Sequence, residues 1–217
     1  MQPNMAQVLN TLAHEIRTPL AISQGYLKLY ADGRLTTPDD QHRALQQTRE
    51  ALGVIATLCA DICKVGALSE AGSPVLAGRM DVAALAREIK TSGDLAGATW
   101  TGSTSPAQVA TYAPRDLARS IAVMAKAAFD EEKGAPHVID MAGDREWLVI
   151  RAGAAGAVDA LRQGPDAAGA AAFNVVRGGK GMTLILATFV LQQHRIQTWS
   201  HQDHKASVGL RIPLVTV

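Results

Sequence analysis

Residues 14–20 read HEIRTPL. Wound as a helix at about 100° per residue, this stretch puts His14 nearly opposite Leu12, Ile16 and Leu20, so the imidazole faces solvent. An isolated surface histidine has no packing task, but a neutral imidazole is a competent nucleophile at physiological pH. Glu15 beside it can accept the proton that an attacked ring must lose, or orient the ring so that its free nitrogen points outward. Thr18, one turn on, shares the face of His14 and can position a water. Pro19 lacks a backbone donor, which predicts a bend and a freed carbonyl. For any one of these residues a solvated polar face is the simpler account. It does not account for all of them in this order.

Outward from this stretch, Leu9, Leu12, Ile16, Leu20, Leu27 and Tyr30 recur at helical spacing and mark one apolar face. DGR at 32–34 breaks the pattern, and TPDD at 37–40 starts a second helix. There Thr37 can cap, Pro38 suits the first helical position, and Asp39 and Asp40 complement the helix dipole. Leu45, Thr48, Leu52, Ile55, Cys59, Ile62 and Gly66 then alternate in steps of three and four, a heptad seam that expects packing in a bundle. On this pattern Cys59 and Cys63 are core or near-core residues rather than ligands. A hairpin of two such helices buries too little alone. Pairing two hairpins into a four-helix bundle is the natural remedy and predicts a homodimer through residues 5 to 68.

SEAGSPVLAGRM at 69–80 reads as a linker between a hairpin domain at 1–68 and a second domain at 81–217. The second domain mixes helices near 81–89, 114–129 and 182–193 with strands at 108–112, 137–142, 146–152, 195–200 and 206–214. That is an α+β sandwich, one sheet covered by helices. The Gly- and Ala-rich stretch 153–181 has weak periodicity. Trp100, Trp147 and Trp199 fall on expected strands, as core or its edge.

Composition narrows the classes. Hydrophobic residues are 47% and charged residues 19% of 217, ordinary for a soluble globular chain. A formal charge of +1 gives no electrostatic footprint for nucleic acid or an anionic membrane. The apolar run Met182–Leu191 is too short to span a bilayer, and no signal-peptide pattern opens the chain. Two cysteines four residues apart suit a reducing compartment, so the expected location is the cytoplasm. HQDH at 201–204 reads as a polar turn rather than a metal site, and no metal is expected.

HEIRTPL closely resembles the phospho-accepting box of two-component sensor histidine kinases, and it sits on the first helix of a hairpin of suitable length. The whole order also resembles theirs: a dimerising phosphotransfer hairpin, then an ATP-binding α+β domain. The resemblance implies that His14 takes a phosphoryl group, that Glu15 assists as acid or base, and that Thr18 aligns a water or the receiver's aspartyl phosphate in the reverse reaction. It implies response-regulator receiver domains as partners, docked on the His14 face near Thr18, Ala21, Gly25 and Lys28, and an upstream hybrid histidine kinase as a source of phosphate.

The second half departs from that family. Aligned on Leu117 and Ala128, the helix PRDLARSIAVMAKAAF puts Val123 and Ala127 where the family has asparagines for magnesium and phosphate. The box whose aspartate reads adenine appears as RAGAAG, with Arg151 in the aspartate's place and Gly153 matching; a guanidinium accepts no hydrogen bond. The last glycine box appears as GGKGMTLIL, where Gly179 and Gly181 match and Thr183 replaces a glycine. The only asparagine of this half is Asn174. The expectation is a degenerate nucleotide domain without cofactor, on a histidine phosphotransferase that carries phosphate between receivers. Two other readings stand beside it: an active histidine kinase with divergent boxes, and a regulator that binds receivers without exchanging phosphate.

Overall fold

The computed structural model describes residues 4–70, 72, 75–92, 95, 97–103, 106–132, 134–144, 146–173 and 181–215. Two long helices, α1 (Met5–Ala31) and α2 (Pro38–Glu70), form an antiparallel hairpin. Asn4 opens α1 with a capping box, its side chain accepting from the Gln7 amide at 2.8 Å. Thr37 opens α2, accepting from the Asp40 amide at 3.1 Å. α1 runs unbroken through Pro19, which is buried, and the Ser23 hydroxyl donates to the Pro19 carbonyl at 3.0 Å.

Inside the hairpin the seam of α2 is Ala44, Thr48, Ala51, Leu58 and Val65, all buried. The expected heptad is therefore shared between two faces. Thr48 lies inside, whereas Leu45 and Leu52 are 55% and 52% exposed in the single chain. Cys59 and Cys63 are also exposed, which corrects their expected near-core placement. The reason is geometric: the small residues Ala44 and Ala51 let α1 approach, and that turns the larger 45–52–59 row outward.

The rest is an α+β sandwich. Beyond the hairpin come β1 (Gly78–Asp81), α3 (Val82–Ser92), β2 (Thr99–Gly102), β3 (Gln108–Thr111), α4 (Pro114–Glu131), β4 (His137–Gly143) and β5 (Trp147–Ala154). They are followed by α5 (Ala155–Leu161), β6 (Ala170–Ala171), α6 (Gly181–Gln193), β7 (Gln197–His201) and β8 (His204–Pro213). Six strands pair in the order β2-β4-β5-β8-β7-β6, antiparallel except for β2 with β4; β1 and β3 pair separately. β1 begins inside the stretch expected to be linker. α5 forms within the Gly/Ala-rich stretch, where the period is carried by Ala157, Val158 and Leu161, all buried.

Strand alternation sorts the sheet's two faces. Ile139 and Met141 of β4, Leu148, Ile150 and Ala152 of β5, and Val208, Leu210 and Ile212 of β8 join one core with Leu117, Ile121 and Met124 of α4. Each such side chain contributes roughly 1.5–3 kcal/mol by leaving water. The intervening residues, Asp140 and Arg151 among them, face the other side, where α5 lies against β4, β5, β7 and β8. α6 is apolar on every side and has no charged residue, because it is covered twice. Leu184, Ala187 and Leu191 join the sheet core, while Met182, Ile185 and Phe189 join a second core with Val8, Leu58 and Val65 of the hairpin.

Candidate active site

His14 is exposed on α1, and Thr18, Ala21, Gly25 and Lys28 follow it, all exposed, at helical spacing along the same helix. A Cβ built at Gly25 would meet nothing within 4 Å, so this face offers a smooth, open strip. The structure thus places His14, the Thr18 hydroxyl and the expected docking residues along one exposed strip of α1.

Glu15 is placed differently. It is half-buried and turned toward α6, where its carboxylate accepts from the Gly181 amide at 2.5 Å and from the Met182 amide at 3.3 Å. No acidic residue stands in the first turn of α6, so Glu15 supplies the anion that a helix amino terminus favours. A Cβ at residue 181 would lie 2.4 Å from Thr11 Cγ2 and 3.2 Å from a Glu15 oxygen, so only glycine admits α1 this closely. At the other end of α6 the Gln193 amide donates to the Leu68 carbonyl of α2 at 2.9 Å. Sequence reasoning found Glu15 but not these partners; the available signal was an apolar helix that begins on glycine with no cap or acid of its own.

In the second domain Ala127 is buried in the core at 7% exposure, and Val123 and Thr183 are half-buried. Val123 and Thr183 share a cavity of about 240 Å³ between α2, α4 and α6, with Tyr112, Ser120 and the charged Asp61, Lys64, Asp116 and Arg119 also on its walls. Burial pushes the Tyr112 hydroxyl's pKa up, with the Asp116 carboxylate adding to the effect. Gly179 and Asn174 lie outside the described residues.

Arg151 does not point into the helical layer. It sits directly across from Asp140 on β4, and its Nη1 donates to Asp140 Oδ2 at 2.9 Å; the Thr101 hydroxyl donates to the other oxygen at 3.0 Å. The two side chains are 12% and 8% exposed. Gly153 also has a structural reason: at φ 156° a Cβ there would meet the Ala206 carbonyl oxygen at 3.0 Å on the paired strand. His201 and His204 flank a two-residue turn between β7 and β8. Among the described residues, no group of three or more metal-ligating side chains converges.

Residues 4–67 match the His Kinase A (phospho-acceptor) domain family. No curated protein matches the sequence. Among solved structures, the chain superposes on the Acinetobacter baumannii histidine kinase AdeS with a TM-score of 0.58 at 14% identity, covering 94% of this chain and 98% of that one. A structure titled as a bacterial phosphotransferase (12% identity, 97% and 99% covered) and a histidine kinase from Burkholderia phymatum STM815 (14%, 94% and 98%) give TM-scores of 0.39 and 0.38. Scores that low do not bear on the fold. Residues 4–67 are thus similar to a phospho-acceptor hairpin, and the chain as a whole shares the fold of a histidine kinase.

Proposed function

We propose that the protein is a histidine phosphotransferase, in which His14 carries a phosphoryl group between receiver aspartates without taking it from ATP. The observation that carries this is the contrast between the two halves. His14 stands exposed on an open helical face, while Ala127, aligned with a metal-binding asparagine, is packed into the sheet's core. Val123 and Thr183 open on a cavity of about 240 Å³, below the roughly 300–1,000 Å³ of ordinary ligand pockets. Productive transfer from ATP needs positioned metal and donors, and alanine, valine and threonine side chains supply few. The guanidinium of Arg151, committed to Asp140, offers no acceptor to an adenine amine either.

In the transfer, an imidazole nitrogen of His14 attacks phosphorus as the aspartyl P–O bond breaks, and Glu15 takes the proton from the other ring nitrogen. Thr18 aligns a water or the aspartyl phosphate in the reverse direction. The test is incubation of the protein with radiolabelled ATP and, separately, with phosphorylated receivers. Label is expected from the receivers alone, and His14→Ala should abolish it. Micromolar ATP binding by calorimetry together with ATP-dependent label on His14 would restore the kinase.

A further inference from the structure

The carboxylate of Glu15 cannot serve two partners at once. In this structure both its oxygens accept from the first amides of α6, and no hydrogen bond joins it to His14 among the described residues. The contact joins residues 166 apart in sequence, Glu15 and Gly181. Three independent features hold it. The apolar contact of Val8 and Leu12 with Met182 and Ile185 lies beside it, Gln193 ties the far end of α6 to α2, and the missing Cβ of Gly181 lets Thr11 and Glu15 close on the helix end.

We propose that the amino terminus of α6 is a latch on Glu15, with Gly181 as the positioning residue that sets it. This rests on the reading of His14 as a phosphoryl carrier. With the latch closed, the carboxylate next to the nucleophile is a helix cap. With it open, the carboxylate can turn to the ring and take the proton the imidazole loses on phosphorylation. The second domain thereby governs how readily His14 reacts, a task that needs no nucleotide. A closed population dominating an open one lowers the apparent rate by the open fraction, so weakening the latch should raise it.

The test uses the full chain and potassium phosphoramidate, whose P–N bond breaks as the His14 N–P bond forms and ammonia leaves. Labelling of His14 is followed by intact mass, and amide hydrogen exchange is followed over residues 181–193. Gly181→Ala, which drives a Cβ against Thr11, should speed both exchange at the start of α6 and labelling, the latter roughly two- to fivefold. Glu15→Ala should speed exchange but slow labelling by about tenfold or more. Adding Thr11→Ala to Gly181→Ala removes the crowding methyl and should return both readouts toward wild type. A contact that was merely structural would shift labelling the same way in Gly181→Ala and Glu15→Ala, and that result would overturn the latch. So would unchanged exchange in Glu15→Ala, which adds no bulk and stays informative if Gly181→Ala folds poorly. Absence of label on His14 in the wild type, from phosphoramidate and from phosphorylated receivers alike, would instead overturn the phosphotransfer reading, and the latch with it.

Discussion

Arg151 and Asp140 face each other across adjacent strands at 12% and 8% exposure, with Arg162 a second, more distant guanidinium 3.8 Å from Asp140. Removing one partner leaves a buried ion, whereas removing both leaves an apolar gap to fill. Arg151→Ala should therefore cost about 3 kcal/mol of unfolding free energy, and Arg151→Met with Asp140→Leu much less. Urea melts of the three proteins check this; equal losses would show that the pair is not the source. The pair also marks what single positions in a sequence conceal. The sequence offered arginine at 151 only as a mismatch to an expected box, and its partner Asp140 was not legible, because nothing in the sequence gives the register between β4 and β5. Glu15 is the parallel case: the sequence singles it out beside His14, while its hydrogen-bond donors, the Gly181 and Met182 amides, lie more than 160 residues away.

At the level of elements, most of the helices and strands follow from periodicity. α1, α2 and α4 fall where their periodic apolar patterns put them, and α6 where an unbroken apolar run does. α5 and β1 were hidden because short elements in Gly- and Ala-rich sequence owe their form to the sheet they pack on. α1 is continuous across Pro19. The corner between α6 and β7 carries a pH dependence. His194 is buried there; its Nδ1–H donates to the Val190 carbonyl at 2.8 Å, leaving Nε2 to accept from Thr111 at 3.0 Å. Burial pushes its pKa below the ordinary value of 6.5, with the Val190 carbonyl and Asp116 opposing. The folded state thus favours the neutral ring, while the unfolded chain protonates near the ordinary value. This contribution to stability is complete above about pH 6.5 and is lost as pH falls through the depressed folded value. The melting temperature should fall on acidification from about pH 7.5 to 5.5, and less steeply in His194→Gln. An identical slope in the variant would assign the effect to other groups.

For the whole molecule, the hairpin's outer face asks for a partner. Leu9, Leu27, Leu45 and Leu52 are each more than half exposed in the single chain, at 52%, 52%, 55% and 52%. α2 even contains an 18-residue window of mean hydropathy 1.8, long and apolar enough by composition to cross a membrane. Pairing of two hairpins would cover this surface, and the exposed row is where the contact is expected. Leu45→Asp with Leu52→Asp should give a monomer by light scattering at micromolar concentration, since each carboxylate would be buried at a cost of several kcal/mol. A dimer that survived both would move the contact elsewhere.

The double coverage of α6 has a further consequence, for how such a chain can change over generations. One flank of this helix completes the sheet's interior and the other completes the hairpin's, through Met182, Ile185 and Phe189. Deleting the second domain would strip Val8, Leu58 and Val65 and leave the hairpin sticky. The second domain therefore cannot be shed without baring the hairpin's interior, whatever other tasks it gains or loses.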